Sequence, residues 1–387
     1  CSVWDDWSKD DIRYKKGEDG SNIPVAHVYT AQEHPIKGTS IDKDALAVVK
    51  KLQEAGAEAY IVGGAVRDLL LNHIPKDFDI ATSATPRQIQ KLFWNARIIG
   101  KRFRLVHLIF RDKVFEVSTF RSGDEESIYG TVEQDAKRRD FSLNSLYYNP
   151  VTGDLLDFNR AMDDIKKGRI RSVIPLTTSF IDDPVRMVRA VKYSVFTGFY
   201  LERDIKRSIR KNRYELTKVS NSRVTEEVFK VLYSGEAAPI MRQLNKHQLL
   251  VYLLPCIAVS ANLEEIFNQL ESLDEKVKKL IELNRNTRLD SLRGEMLLHL
   301  VRPIILPIKQ DEEVSVSELF KATYAQIKRL INPITPPNYD VEQATLLLLK
   351  GEGVNVPPTC LRTKPPLQQY GQLRAAQSRG RRRPKRI

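Results

Sequence analysis

Residues 59–80, AYIVGGAVRDLLLNHIPKDFDI, set an apolar run, a glycine pair, a short helical stretch and two aspartates one residue apart in direct succession. Ala59–Val62 reads as a buried strand. Gly63-Gly64 then lets the backbone turn tightly and approach a ligand, since neither residue has a Cβ to clash. Val66–Leu71 begins a helix; backbone N–H groups at such a turn draw phosphate, and Arg67 adds a charged donor on the same side. In the following DFDI, side chains at i and i+2 of a strand share a face roughly 6.6 Å apart. Asp77 and Asp79 therefore converge on one or two hard cations, while Phe78 faces the core. Such a donor set suits metal-assisted phosphoryl transfer, in which Mg²⁺ is held by a few carboxylates together with substrate phosphates. A bare Asp-x-Asp is common in solvated turns; strand, Gly-Gly, Arg and strand-borne Asp-x-Asp together are much rarer.

The flanking segments extend this into an α/β head. Ala45–Ala55, with Leu46, Val49, Leu52 and Ala55 at helical spacing, delivers the chain to the first core strand. After DFDIATSATP, Gln88–Trp94 reads as a helix, and Ala96–Gly100, Arg104–Phe110 and Lys113–Phe120 read as strands of a small mixed sheet. In the last of these Phe115, Val117 and Thr119 share one face and Glu116 and Ser118 the other, making Glu116 a candidate third carboxylate. RSGDEESIYGTVEQD (121–135) reads as an acidic loop over the site. Residues 1–35 are polar and poorly periodic and read as an extension.

Three stretches carry a family resemblance. GGAVRDLLL with KDFDIAT, then Arg138-Arg-Asp-Phe-Ser-Leu-Asn144, then Asp182-Asp-Pro-Val-Arg-Met-Val-Arg-Ala190 resemble the signature of the nucleotidyltransferases that include bacterial poly(A) polymerases and CCA-adding enzymes; the likeness covers roughly residues 36–235. The resemblance implies that Asp77, Asp79 and Asp140 are catalytic, with two Mg²⁺ ions (Mn²⁺ as the alternative) held by Asp77 and Asp79 and by Glu116 in second rank. It implies that Gly63, Gly64, Arg67, Arg138, Arg139 and Asn144 hold the triphosphate and sugar of ATP. Asp183 and Arg186 would read the base by side-chain hydrogen bonds, with Arg189 beside them. Asp182 stands where the family usually carries Glu, one methylene shorter. The segment Lys101-Arg-Phe-Arg-Leu-Val-His107 resembles the polyadenylating form, although Lys101, Arg102 and Arg104 also suit an RNA or triphosphate path. Asp182 or Asp183 is expected to cap the helix that Pro184 opens and Gly198 ends.

Beyond this neck the pattern is helical: Val224–Ser234 stopped by Gly235, Ile240–Leu254, Leu263–Asn284, Leu289–Val301, Val314–Ile331 and Tyr339–Leu349. The net charge is +13, and nine of those charges fall after Gly353 in a segment with no acid, leaving +4 for the rest. A Pro-containing basic tail without fixed structure is the expectation, with Arg381, Arg382, Arg383, Lys385 and Arg386 touching RNA phosphates without reading sequence. Cys1, Cys256 and Cys360 are far apart with no Cys-x-x-Cys, which argues against zinc and disulfides and suits a reducing cytoplasm. The six histidines show no ligand spacing, and no apolar run is long enough to span a membrane. Cys1 in place of Met marks a fragment, a recombinant start or a processed product.

The expected fold is α+β: an extension (1–35), a nucleotidyltransferase head (36–160), a neck (161–235), a helical body (236–350) and a basic tail (351–387). The expected function is addition of AMP from ATP to the 3′ ends of mRNA and other RNAs. tRNA CCA- or A-addition is the alternative, and a non-catalytic RNA-binding protein the weaker one.

Overall fold

The computed structural model describes residues 11–16, 22–100, 105–110, 113–122, 129–283, 290–306 and 314–361. These divide into two compact units, one ending at Pro175 and one beginning at Leu176. Lys101, Arg102, Arg104, the middle of the acidic loop and the basic tail with Arg381, Arg382, Arg383, Lys385 and Arg386 lie outside the described residues.

The N-terminal unit is built on a nine-stranded mixed sheet. Its strands are β1 (Asp11–Lys16), β2 (Asn22–Tyr29), β3 (Ala59–Val62), β4 (Asp79–Thr82), β5 (Ala96–Ile99), β6 (Leu105–Ile109), β7 (Val114–Thr119), β8 (Leu146–Tyr148) and β9 (Leu155–Asp157). Their order across the sheet is β1-β2-β9-β8-β3-β4-β7-β6-β5. Among the described strands only β4 and β7 run parallel, Ile80 opposite Val117; β3 runs antiparallel to both β4 and β8. β3 thus sits in the middle of the sheet with all four side chains buried, as expected of a continuous apolar run covered on both faces. β7 buries Phe115, Val117 and Thr119 and exposes Glu116, as its alternation predicts.

Two departures concern the N-terminus. Residues 11–16 and 22–29 are strands of this sheet and not a mere extension: β2 pairs with β9, and β1 closes the edge. A charged edge strand, and Pro24 beside a register shift between Arg13 and Tyr14, hide the strand pattern because edges and irregularities tolerate Lys and Pro. Helix α1 (Lys43–Glu54) is present, but its buried stripe is Ala45, Val48, Val49 and Leu52; Leu46 is half-buried and Ala55 exposed. Asp42 caps it by accepting from the Asp44 and Ala45 amides at 2.8 and 3.2 Å, and Lys113 reaches the same carboxylate at 2.6 Å, fastening α1 to the start of β7.

The remaining helices of this unit are α2 (Gly64–Leu70), α3 (Pro86–Leu92), α4 (Val132–Lys137) and α5 (Ala161–Lys166). α4 contradicts the reading of 121–135 as loop throughout. Thr131 and Gln134 form a reciprocal capping box that starts a helix there, and the helix carries Asp135 inward. Tyr60, Phe120 and Tyr147 pack with centroids 6.1–6.3 Å apart beneath it. Residues 161–175, expected in the neck, belong to this unit.

The C-terminal unit is helical: α6 (Leu176–Asp182), α7 (Val185–Thr197), α8 (Arg203–Asn212), α9 (Asn221–Leu232), α10 (Ala237–Lys246), α11 (Leu250–Leu253), α12 (Pro255–Ala258), α13 (Leu263–Glu282), α14 (Arg293–Val301), α15 (Val316–Leu330) and α16 (Asn338–Gly351). Gly198 ends α7 in the left-handed conformation, φ 73°. Ser315 and Glu318 form a capping box at α15. The helix expected over 240–254 is broken after Lys246, where Gln248 takes φ 56°.

Candidate active site

The turn between β3 and α2 is the pivot of the site. Gly63 adopts φ 70° and ψ −132°, a conformation that strains any residue with a side chain. A Cβ placed on it would stand 3.8 Å from Arg139 Nη1 and 3.9 Å from Asp79 Oδ2. The missing side chain therefore leaves a cradle with a guanidinium on one wall and a carboxylate on the other. A Cβ on Gly64 would stand 3.6 Å from Arg67 Nη2. Arg67 is buried; its Nε and Nη2 donate to Asp68 Oδ1 at 2.8 and 2.6 Å, and Nη1 donates to Asn144 Oδ1 at 3.0 Å. With all three nitrogens bonded inside the protein, Arg67 braces the glycine turn. Asn144 donates onward to Asp140 Oδ1 at 3.4 Å, and the Phe141 amide donates to the same oxygen at 2.8 Å.

Arg139 is fixed by a group that the sequence reading missed. Asp135, buried on α4, accepts from Arg139 Nη2 at 2.9 Å and from the Tyr147 hydroxyl at 2.6 Å through Oδ2. Its Oδ1 accepts from Arg138 Nε at 3.1 Å and the Arg121 amide at 3.2 Å. Burial pushes the Asp135 carboxyl up, but Arg139, Tyr147 and Arg138 outweigh it and hold the carboxyl below its ordinary range. Tyr147 is pushed well up, by burial first and by the adjacent Asp135. The signal available in the sequence was the Thr131-x-x-Gln134 box, which turns the acid from loop decoration into a helix residue with an inward face.

Asp79 opens β4 and is exposed; Asp77, also exposed, lies just upstream of the strand, with Phe78 half-buried between them. The expectation of a fully strand-borne pair is thus corrected: only Asp79 is on the ladder. By the β4–β7 register Asp79 stands level with Glu116. Glu116 Oε1 lies 3.5 Å from His107 Nε2. The Asp77 carboxyl reaches solvent yet is pushed up, first by the protein packed around it and then by Glu116, with Lys76 pulling the other way. A cation beside a carboxyl raised in this way would favour its charged form. Among the described residues no three His, Cys, Asp or Glu side chains stand close enough to hold a metal unaided. The donors fit a hard divalent ion that takes one or two carboxylates and completes its shell with water and phosphate.

The C-terminal unit carries the third motif. Asp182 is the last residue of α6, and no side chain caps α7, whose N-cap is Pro184; the predicted acid cap is absent because the two helices abut. Asp183 Oδ2 accepts from Arg223 Nη2 at 2.7 Å and lies 3.7 Å from Arg186 Nε, while its buried Oδ1 has no hydrogen-bond partner. Arg186 Nη1 donates to the Ser179 carbonyl at 3.1 Å. Arg189 is committed to the buried Glu227, both Nε and Nη2 donating to Oε1 at 3.0 and 2.6 Å. Arg223 was not anticipated from sequence, being one of two cations on an amphipathic helix.

Comparison with known proteins follows the same division. A family profile for the poly(A) polymerase head domain matches residues 59–171. One described as the probable RNA and SrmB-binding site of polymerase A matches 198–260. Poly(A) polymerase I of Haemophilus influenzae is 36% identical over 284 residues, 67% of this chain and 63% of that protein. The CCA-adding enzyme of Leuconostoc mesenteroides is 34% identical over 219 residues, 54% of each chain. This chain therefore spans less than two thirds of these relatives. Among solved structures, the Bacillus stearothermophilus CCA-adding enzyme in complex with CTP superposes with a TM-score of 0.53 at 24% identity, covering 87% of this chain and 93% of that one, a likeness of fold. Residues 59–171 thus carry the poly(A) polymerase head domain, and the chain is similar to bacterial poly(A) polymerases and CCA-adding enzymes alike.

Proposed function

We propose that this chain is a template-independent RNA nucleotidyltransferase that adds AMP from ATP to RNA 3′ ends, in mRNA processing in the cytoplasm. The observation that carries the reading is the side-chain-free cradle at Gly63, with Arg139 Nη1 and Asp79 Oδ2 on its two walls. It brings a cation suited to phosphate and an acid suited to a metal ion to one backbone turn that carries no side chain.

In this reading Arg139 neutralises the triphosphate, held in place by Asp135 and Tyr147, while Arg138 adds charge from the end of α4. Gly63 and Gly64 let the backbone approach the phosphates, and Arg67 holds Asn144 and Asp140 at the sugar. Asp77 and Asp79, with Glu116 beside them, would hold Mg²⁺ or Mn²⁺. Bound there, such ions lower the pKa of the attacking 3′-hydroxyl and neutralise the departing pyrophosphate. Asp183 and Arg186 read the base: Arg186 is a donor, and the unpartnered Asp183 Oδ1 is an acceptor for an exocyclic amino group. Arg189 supports that helix through Glu227. The basic tail would hold RNA of any sequence.

Asp79→Ala or Asp77→Ala tests the site. Either change should abolish AMP incorporation at saturating Mg²⁺ while leaving RNA affinity within about twofold, since phosphate contacts elsewhere supply most of that affinity. Undiminished incorporation by either variant would exclude the proposed metal site. Addition to tRNA ends is the second reading, favoured by the identity shared with the CCA-adding relative.

A further inference from the structure

Within the C-terminal unit, side chains of α7, α8 and α10 enclose a cavity of about 230 Å³ that none of the residues discussed above lines. Val191 and Leu201 give it an apolar floor, Lys206, Lys246 and His247 stand around it, and Tyr200 flanks it with 55% of its surface exposed. No acid lines it. Among the described residues neither Lys206 nor Lys246 is paired with a carboxylate. Burial, and then the ammonium groups of Lys206 and Lys246, hold the His247 imidazole below its ordinary range. Two positive charges, unpaired among the described residues, thus stand beside an apolar floor and an exposed ring, an arrangement that suits an anionic group carrying a flat ring.

We propose that this cavity is a subsite for one nucleotide of single-stranded RNA, its base laid on Tyr200 and its phosphate held by Lys206 and Lys246. The proposal rests on the RNA-end reading given above. The cavity is smaller than the roughly 300–1,000 Å³ of pockets that enclose a whole small molecule. It suits one unit of a strand that continues outside it. An aromatic platform beside lysines accepts any base, because every base has a π-face and the phosphate is common to all. Tyr200, Lys206, Lys246 and His247 also fall within the span matched by the RNA-binding profile, which names no residue. A protein partner is poorly served here. Of the lining side chains only Tyr200 is a large exposed hydrophobic, far short of the apolar patch a docking protein needs.

The test is fluorescence anisotropy of a labelled oligoadenylate titrated with the full chain, without nucleotide or divalent metal, so that the readout is independent of catalysis. Tyr200→Ala should weaken binding by about 5- to 150-fold, the range for losing one base–aromatic stack, and Tyr200→Phe should keep wild-type affinity. Lys206→Ala and Lys246→Ala should each lower the slope of log affinity against log salt by roughly 0.7. All three positions are exposed, so the variants should fold as wild type, which circular dichroism checks. Wild-type affinity and slope in the Tyr200→Ala and lysine variants would overturn the proposal and leave the lysines to a protein partner. Equal losses in Tyr200→Ala and Tyr200→Phe would overturn the stacking mode. If AMP addition proceeds while these variants bind normally, only the subsite falls. If the variants lose RNA but no AMP addition is ever seen, the subsite stands and the enzymatic reading falls.

Discussion

Asp135→Asn is the most informative single change in the N-terminal unit, because it removes one charge at constant shape from the group that holds Arg139. Asp135 is 3% exposed and accepts four hydrogen bonds, from Arg139, Arg138, Tyr147 and the Arg121 amide, at 2.6 to 3.2 Å. The Arg139 side chain is 24% exposed, so its charge is left largely unpaired when the carboxylate goes. Breaking a buried pair by removing one partner costs roughly 3–5 kcal/mol. We expect the lower end, about 3 kcal/mol, since Arg139 keeps some solvent. For a unit of this size that is a fall in Tm of about 6–12 °C. The loss depends on pH with a definite sign. The folded-state pKa of Asp135 lies below its unfolded value, so its stabilisation is fully present above about pH 4 and is lost as pH falls through the folded pKa. The gap between wild type and variant should therefore be constant from neutral pH down to about pH 5 and should narrow below about pH 4. In kinetics the variant should raise KM for ATP more than it lowers kcat, because Arg139 is released from the triphosphate while Asp77 and Asp79 are untouched. Thermal unfolding across pH, with steady-state AMP incorporation, measures both. A Tm within 2 °C of wild type, or a stability gap that widens in acid, would refute the argument.

Two further changes test the turn and the base pocket. Gly63→Ala must adopt φ 70° with a side chain and set a methyl in the cradle between Arg139 and Asp79; it should cost about 1–3 kcal/mol of stability and raise KM for ATP, read by thermal unfolding and kinetics. In the proposed base-reading role of Arg186, Arg186→Ala should reduce the preference for ATP over CTP by about tenfold or more while triphosphate affinity changes little, and competition between the two nucleotides measures it.

What could be read from the sequence follows from which physical signals are local. Ala59–Val62 was visible as a strand because it is buried on both faces and ends at two glycines, and Gly198 was visible as a helix stop because the left-handed conformation selects Gly. The alternation of Phe115, Val117 and Thr119 placed Glu116 on the opposite face, where the structure has it. The strands β1, β2, β8 and β9 were not visible. The first two carry the Lys and Pro that edges and irregularities allow, and the last two are only three residues long. Asp135 and Arg223 were missed for a different reason. Each acts through a partner remote in sequence, Tyr147 in one case and Asp183 in the other, and charge in an acidic loop or on an amphipathic helix looks the same whether it faces water or a partner. The apolar stripe of α1 was right at Val49 and Leu52 but took Leu46 and Ala55 in place of Ala45 and Val48, because alanines and aliphatic residues occupy both sides of it.

The central claim is that this chain extends RNA 3′ ends with AMP and needs no particular acceptor. One gel tests it: an unstructured RNA and a tRNA transcript lacking its CCA end, each incubated with the protein, Mg²⁺ and ATP, CTP or both. A long ladder on the unstructured RNA with ATP alone, absent in Asp79→Ala, is the expected result. Addition confined to the tRNA, dependent on CTP and ending once C-C-A is complete, would contradict it.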